Sequence, residues 1–231
     1  MKILIVSGFL GAGKTTFIKR LARNVDQRFA ILENEYGAAG IDGARLGQNR
    51  QGTQKNVWEM TEQCICCIGK KDFAASVLTI ANVVDPEYLI VEPTGVGSLA
   101  RIIENLRQIE YERIQLLSPV TIVDVYSYRR YMAEYPELYQ DQIRSADTII
   151  VSKTEACQAE EKQRIQKFLQ EINPQAKIIT DYASTMTWED YQSLLLGGRY
   201  EKEVQDTQSG EKMPETFSFE NIRMEAPETL W

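Results

Sequence analysis

The opening run MKILIVSGFLGAGKTTFIKRLARN constrains this chain more than any other stretch. Its apolar residues Lys2–Val6 read as a strand buried on both faces, because the run is continuous rather than alternating. GFLGAGKT, Gly8 to Thr15, follows at once and fits the pattern G-x-x-x-x-G-K-[ST]. A helical period then begins at Lys14. Glycines let the backbone wrap closely around a polyphosphate, so that successive N–H groups point inward. The helix behind the loop adds the partial positive charge of its N-terminus. Lys14 is expected to reach the β- and γ-phosphates, and the Thr15 hydroxyl to ligate Mg²⁺. Gly8, Gly11, Ala12, Gly13, Lys14, Thr15 and Thr16 form the candidate phosphate-binding set. A glycine-rich turn with an accidental lysine is the plain alternative, and the strand–loop–helix context argues against it. The same run has some likeness to a signal peptide, but the apolar stretch is short and Lys14 stands where a cleavage site should be.

Further apolar runs recur at Phe29–Leu32, Tyr88–Val91, Val120–Val123, Thr148–Val151 and Lys177–Ile179. Segments of helical period lie between them, at Lys14–Asn24, Asp72–Val84, Leu99–Gln108, Ser127–Met132, Pro136–Ser145 and Gln158–Ile172. Such alternation implies an α/β fold, a P-loop NTPase with a mostly parallel sheet and helices on both faces. Ligands of these sheets bind beyond the carboxyl ends of the strands, so the loops there should carry the chemistry. The 231 residues, 43% hydrophobic, suit one domain with an ample core. Residues 1–198 are expected to form that domain. Residues 199–231 are expected to be a polar linker with an edge strand near Thr216–Met224. A net charge of −7 disfavours sequence-independent nucleic-acid binding. No stretch approaches the roughly 20 apolar residues that cross a bilayer.

Two later strand ends complete a nucleotide site. IVEPTG, Ile90 to Gly95, ends an apolar run in an acid with glycine three residues on. Glu92 can hold Mg²⁺ directly or through water, and the Gly95 N–H can contact the γ-phosphate and sense its loss. IIVSKTE, Ile149 to Glu155, resembles the N-K-x-D element that reads guanine. Lys153 is in place to pack its stem over a base, Glu155 is the candidate acceptor for the guanine edge, and Ser152 stands where Asn is usual. GTP and GDP are therefore preferred over adenine nucleotides. An ordinary charged strand end is the alternative. Lys14, Thr15, Glu92 and Gly95 are the candidate catalytic residues.

Together GFLGAGKTT, ENEYGAAGID (Glu33–Asp42), CICC, EPTG and QIRSADTIIVSKTE resemble the CobW-like GTPases. These are also called the cobalamin-synthesis-protein family and are related to the nickel chaperones of hydrogenase and urease. The resemblance runs from Met1 to about Leu196. It implies a P-loop GTPase domain that uses GTP to deliver or insert a metal ion or metallocofactor, with C-x-C-C cysteines in or beside a metal site near the nucleotide. The chain departs from the family pattern at Gln63, where glycine usually precedes the first cysteine, and at Ala38, where an acid is usual. It also lacks the histidine-rich segment of many members, and by the same resemblance FSFENIRMEAPETLW looks like the opening strand, a remnant, of the family's C-terminal domain.

Three of the four cysteines, Cys64, Cys66 and Cys67, crowd together, and there is no histidine. Adjacent cysteines are awkward to bridge, so free thiols in a reducing cytoplasm fit better than a disulfide framework. Thiolates are soft ligands that suit Zn²⁺, with Co²⁺ and Ni²⁺ also open. A closed structural site wants four ligands, and the cluster supplies at most three. Carboxylates or water must complete it. Glu33 and Glu35 end the second strand, and the resemblance puts Glu33 beside the cysteines. Core packing and redox sensing are the alternatives. Cys157 stands alone and reads as incidental. The tyrosines Tyr126, Tyr128, Tyr131, Tyr135 and Tyr139 read as helix packing. Asp124 ends a strand and reads as a cap or a functional contact.

The leading expectation is a Mg²⁺-dependent GTPase carrying Zn²⁺ or Co²⁺ to a client metalloenzyme or corrinoid protein. Turnover should be slow without that partner or a second subunit, since no arginine finger is evident. The alternative is a nucleotide-gated escort module that handles no metal itself. A small-metabolite kinase is a third, weaker reading.

Overall fold

The computed structural model describes residues 1–25, 27–33, 57–61 and 70–204. Within them the chain runs β1 (Lys2–Gly8), α1 (Lys14–Asn24), β2 (Phe29–Glu33), β3 (Val57–Thr61), α2 (Lys70–Val83) and β4 (Tyr88–Glu92). It continues through α3 (Leu99–Arg107), β5 (Gln115–Leu116), β6 (Val120–Asp124), α4 (Tyr128–Glu134), α5 (Pro136–Arg144) and β7 (Thr148–Ser152). The last described elements are α6 (Ala159–Ile172), β8 (Lys177–Ile179), α7 (Tyr182–Thr185) and α8 (Trp188–Leu196). Seven strands lie in the order β3-β2-β4-β1-β6-β7-β8, and β5 pairs with β1. Every pairing between named strands is parallel.

The continuous apolar runs bury residues of both parities. On β1, Ile3 and Ile5 face one layer, with Phe73, Val77 and Ile80 of α2 and Leu99, Ile103 and Leu106 of α3. Leu4 and Val6 face the other, with Phe17, Ile18 and Leu21 of α1 and Tyr191 and Leu195 of α8. On β7, Ile150 joins the α1 layer. Ile149 and Val151 pack against Tyr139 and Ile143 of α5 and Ile165 and Leu169 of α6. The helices therefore cover both faces, as the alternation of elements requires.

All six strands expected from the apolar runs are present, and the helix ends differ by a residue or two. Four elements escaped those patterns. VWEMT in β3 carries Glu59 at its centre, so a search for unbroken apolar runs passes over it. It sits at the sheet's edge, where a strand need not be apolar throughout. The two-residue β5 and four-residue α7 are too short for any periodicity. Helix α8 is announced by its cap instead: Thr187 and Asp190 form a reciprocal capping box.

Beyond α8 the described chain lies along the domain. Leu117 and Arg199 form an antiparallel bridge. Tyr200 is 4% exposed, its N–H donates to Leu116 O at 2.8 Å, and its hydroxyl donates to Ser145 O at 3.0 Å. Arg199 pairs with Glu110 at 3.2 Å. The edge strand expected near Thr216–Met224 falls outside the described residues.

Candidate nucleotide-binding site

Four neighbouring strands end on one line. Glu92 ends β4, Gly8 ends β1, Asp124 ends β6 and Ser152 ends β7, with Asp124 and Ser152 in register. The glycine loop springs from the middle of this row. Gly8 has φ +144, and a Cβ there would lie 2.4 Å from Ile122 O, so β6 lies too close for any side chain. Gly13 has φ +97 and begins α1 in the left-handed region. Helix α1 has no side-chain cap and no acid in its first turn. By contrast, α3 is capped by Ser98, and α8 by its Thr187–Asp190 box. An uncapped helix start, its positive end unneutralised, is what an anion site needs.

Lys14 is buried with its ammonium 3.5 Å from Phe9 O, folded back over the loop. Phe9 is 1% exposed and anchors the loop from below. Its ring packs against Tyr131, Tyr135 and Tyr139, with centroids 4.2, 5.6 and 5.6 Å away. The Tyr131 hydroxyl donates to Leu10 O at 3.1 Å. These tyrosines are helix packing, as expected, but the object they pack is the glycine loop. Burial pushes the Tyr139 hydroxyl far above its ordinary range. Tyr126 departs from the expectation: it is 64% exposed, and its hydrogen bond with Cys157 raises its phenol.

On the β4 side, Thr15 Oγ1 donates to Glu92 Oε1 at 2.8 Å and lies 3.1 Å from Oε2. A hydroxyl and a carboxylate side by side at the mouth of a glycine loop are hard oxygen donors, which suits Mg²⁺. Gly95 is pressed against the same loop, where a Cβ would lie 2.4 Å from Leu10 N and 2.9 Å from Leu10 Cα. Only glycine fits that approach.

On the β7 side, Ser152 Oγ donates to Ala12 O at 2.6 Å. The serine thus ties β7 to the glycine loop. Lys153 has φ +60 and directs its ammonium to Asp124 Oδ2 at 2.8 Å. Asp124, 5% exposed, also accepts from Tyr126 N and Ser127 Oγ, both at 2.9 Å. It is therefore both a turn cap and the partner of Lys153. Glu155 is exposed beside them. Cys157 makes local bonds, its N–H to Thr154 O at 3.1 Å and its thiol to Lys153 O at 3.7 Å.

The structure thus brings Gly8, Gly11, Ala12, Gly13, Lys14, Thr15, Thr16, Glu92, Gly95, Ser152, Lys153 and Glu155 to one edge of the sheet. Of Glu33 the backbone is described: it pairs in register with Glu92 on one side and Thr61 on the other. Cys64, Cys66 and Cys67 lie outside the described residues. Among the described residues no cluster of three or more His, Cys, Asp or Glu could hold a metal ion.

Sequence reasoning assigned no role to Asp141 and Gln142. Both are buried on α5, 4% and 1% exposed. The Asp141 carboxylate accepts from Leu99 N at 2.7 Å, and Gln142 Nε2 donates to Gly95 O at 3.1 Å and Gly97 O at 2.9 Å. Nothing in their residue types marks them, because their partners are more than forty positions away.

The family profile described as "CobW/HypB/UreG, nucleotide-binding domain" matches residues 2–180. The chain is 30% identical over 178 residues to a zinc chaperone, YeiR of Escherichia coli, covering 76% of this chain and 53% of that protein. It is 27% identical over 194 residues to the zinc chaperone CobW of Pseudomonas aeruginosa, covering 71% and 52%. The chain thus spans about half the length of the curated relatives it matches. Among solved structures, the Zn(II)-bound YjiA GTPase from Escherichia coli aligns with TM-score 0.62 at 22% identity, covering 90% of this chain and 66% of that one. The hydrogenase maturation factor HypB from Archaeoglobus fulgidus aligns with TM-score 0.58 at 19% identity, covering 85% and 89%. These likenesses carry the fold, and the profile match over most of the chain carries the kinship: the chain belongs to the CobW/HypB/UreG nucleotide-binding-domain family.

Proposed function

We propose that this domain is a Mg²⁺-dependent guanine-nucleotide switch that hydrolyses GTP slowly and couples its nucleotide state to zinc binding at Cys64, Cys66 and Cys67, with Glu33 as an oxygen ligand. The observation that carries the nucleotide half is the Thr15–Glu92 contact at the mouth of the glycine loop, with Gly95 pressed on Leu10. Lys14 supplies positive charge to the β- and γ-phosphates. Thr15 and Glu92 hold Mg²⁺, which when bound neutralises charge developing on the phosphate oxygens. The N–H of Gly95 meets the γ-phosphate. Lys153 lays its stem on guanine, and Glu155 accepts from the base edge.

The metal half is supported by kinship with proteins named as zinc chaperones. The register adds to it: Glu33 is the strand neighbour of Glu92, and Cys64 follows Thr61 by three positions in sequence. A change at the γ-phosphate therefore has a short route to a carboxylate of the metal site. The metal is cargo for a client metalloprotein, with Zn²⁺ the first candidate and Co²⁺ the second. The client or a second copy of the chain supplies the cation that speeds turnover. The nucleotide-binding domain spans residues 1–198, with residues 199–204 packed on it through Tyr200. Thiols of this kind stay free in a reducing cytoplasm, where the protein works.

The test is a titration of the reduced protein with Zn²⁺ and Co²⁺ under anaerobic conditions, with GDP and with a non-hydrolysable GTP analogue. The expected result is a thiolate-to-cobalt charge-transfer band whose affinity differs between nucleotides and disappears when Cys66 and Cys67 are changed to serine. No thiolate binding in either state would leave an escort module that handles no metal. Phosphate release from GTP with Mg²⁺, and none without it, tests the enzymatic half.

A further inference from the structure

We propose that Gln142 is a positioning residue that holds the Gly95 loop for response to the γ-phosphate, and so sets the preference for triphosphate over diphosphate. The proposal rests on the nucleotide reading above. Gln142 acts through the Gly95 loop rather than on the nucleotide itself. It lies on α5, and its amide nitrogen bridges the carbonyls of Gly95 and Gly97 at 3.1 and 2.9 Å. Both hydrogens of that NH₂ are thereby used, and two carbonyl acceptors fix which end of the amide faces the loop. The loop is held on either side of Val96, and Gly95 is left against Leu10 of the phosphate loop.

The neighbouring residue completes the grip. Asp141 accepts from Leu99 N at 2.7 Å, at the start of α3, which follows the loop directly. One turn of α5 thus holds both the loop and the helix it leads into. Space-filling does not explain the choice. Gln142 is 1% exposed and its Oε1 has no hydrogen-bond partner. A leucine or methionine would fill the same volume without a buried orphan acceptor, whose cost is real. What those side chains lack is the pair of donors.

The grip is transmitted from rigid ground. The backbone oxygen of Gln142 accepts from Thr121 Oγ1 of β6 at 2.9 Å. The end of α5 is tied by Asn173 Nδ2, which donates to Ile143 O at 2.8 Å and Ala146 O at 2.9 Å. The Tyr200 hydroxyl and the Lys202 ammonium hold Ser145 O and Arg144 O at 3.0 and 3.1 Å. Because α5 is fixed at its far end, a displacement of the loop must be made against Gln142 rather than with it.

The experiment compares full-length wild type with Gln142→Met and Gln142→Leu, measuring affinity for GDP and for a non-hydrolysable GTP analogue, together with kcat and KM for GTP. Expected is a roughly tenfold fall in the ratio of analogue to GDP affinity, with GDP affinity held within about twofold and kcat lowered more than KM is raised. A merely structural residue would weaken both nucleotides together, and an unchanged ratio in folded variants overturns the proposal. Should both variants fail to fold, the side-chain amide resonance of Gln142 in wild type decides instead. A shift between the GDP and analogue states is expected, and an unmoved resonance overturns the assignment. Failure of wild type to bind either guanine nucleotide would defeat the nucleotide reading and this proposal together, whereas an unchanged ratio defeats this proposal alone.

Discussion

The two halves of the proposed nucleotide site are built by different means. The phosphate half is mostly backbone: three glycines at positive φ, Gly8 among them pressed on β6, an uncapped helix start, and a fourth glycine, Gly95, against Leu10. The base half is mostly side chains from separate strands, Ser152 reaching Ala12 and Lys153 reaching Asp124. The first half tolerates no added carbon at Gly8 or Gly95. The second departs from the N-K-x-D pattern it resembles, with serine where asparagine is usual and a longer acid at Glu155. Backbone recognition is unforgiving in shape but indifferent to neighbouring side chains. Side-chain recognition can be rebuilt with other residues that reach the same oxygen.

That contrast is breakable by substitution. The largest effect is expected for Lys14→Ala, which should weaken GDP and GTP analogues alike by about 100-fold, or about 2.7 kcal/mol, in calorimetric titration. A loss confined to one nucleotide would mean Lys14 does not serve both states. Gly95→Ala comes next. Its methyl would meet Leu10 N at 2.4 Å and must displace the loop. The expected result is a roughly 30-fold loss of analogue affinity, about 2 kcal/mol, with GDP much less affected. Equal losses would place Gly95 away from the γ-phosphate.

Asp124→Asn tests the base half alone. Removing the carboxylate releases a partly exposed lysine from a buried partner, and the guanine-over-adenine ratio should fall about tenfold, or about 1.4 kcal/mol. Mg²⁺ affinity in the presence of GDP should stay constant, and a change in it would show that the halves are not separable.

The smallest effect lies outside both halves. Burial, ahead of the Asp147 charge, pushes the Tyr200 hydroxyl up to about 12, with Arg107 pulling the other way. A phenol raised above its ordinary value near 10 contributes stability that is whole below pH 10 and lost as pH climbs toward 12. Thermal melts of wild type should therefore steepen in that window by on the order of 1–2 kcal/mol, and Tyr200→Phe should flatten the slope. Nucleotide preference measured below pH 10 should change less in Tyr200→Phe than in the Gln142 variants, because Asn173 and Lys202 still tie the end of α5.

The two halves also differ in how far they could be read in advance. Gly8, Gly13, Lys14 and Thr15 fall within one run of eight residues and obey a spacing with one physical meaning, so the phosphate loop was legible from that run. Glu92 and Gly95 were legible because a strand end is recognisable from its apolar run. The bond from Ser152 to Ala12 spans 140 positions, and that from Lys153 to Asp124 spans 29. No local pattern announces either. Asp124 could be seen as the end of a strand but not as the partner of Lys153. Edge strand β3 was missed because its central glutamate breaks the apolar run that marks a buried strand.

The sequence by itself determined the α/β alternation, the glycine loop and the order of the strand-end motifs, because each depends on residues within a few positions of one another. Only the tertiary structure decided that a serine ties the loop from β7, that a buried aspartate receives Lys153, and that Gln142 grips the Gly95 loop from a neighbouring helix. Those choices depend on which strands become neighbours in the sheet. That order follows from the packing of two helical layers, which no single stretch of sequence contains.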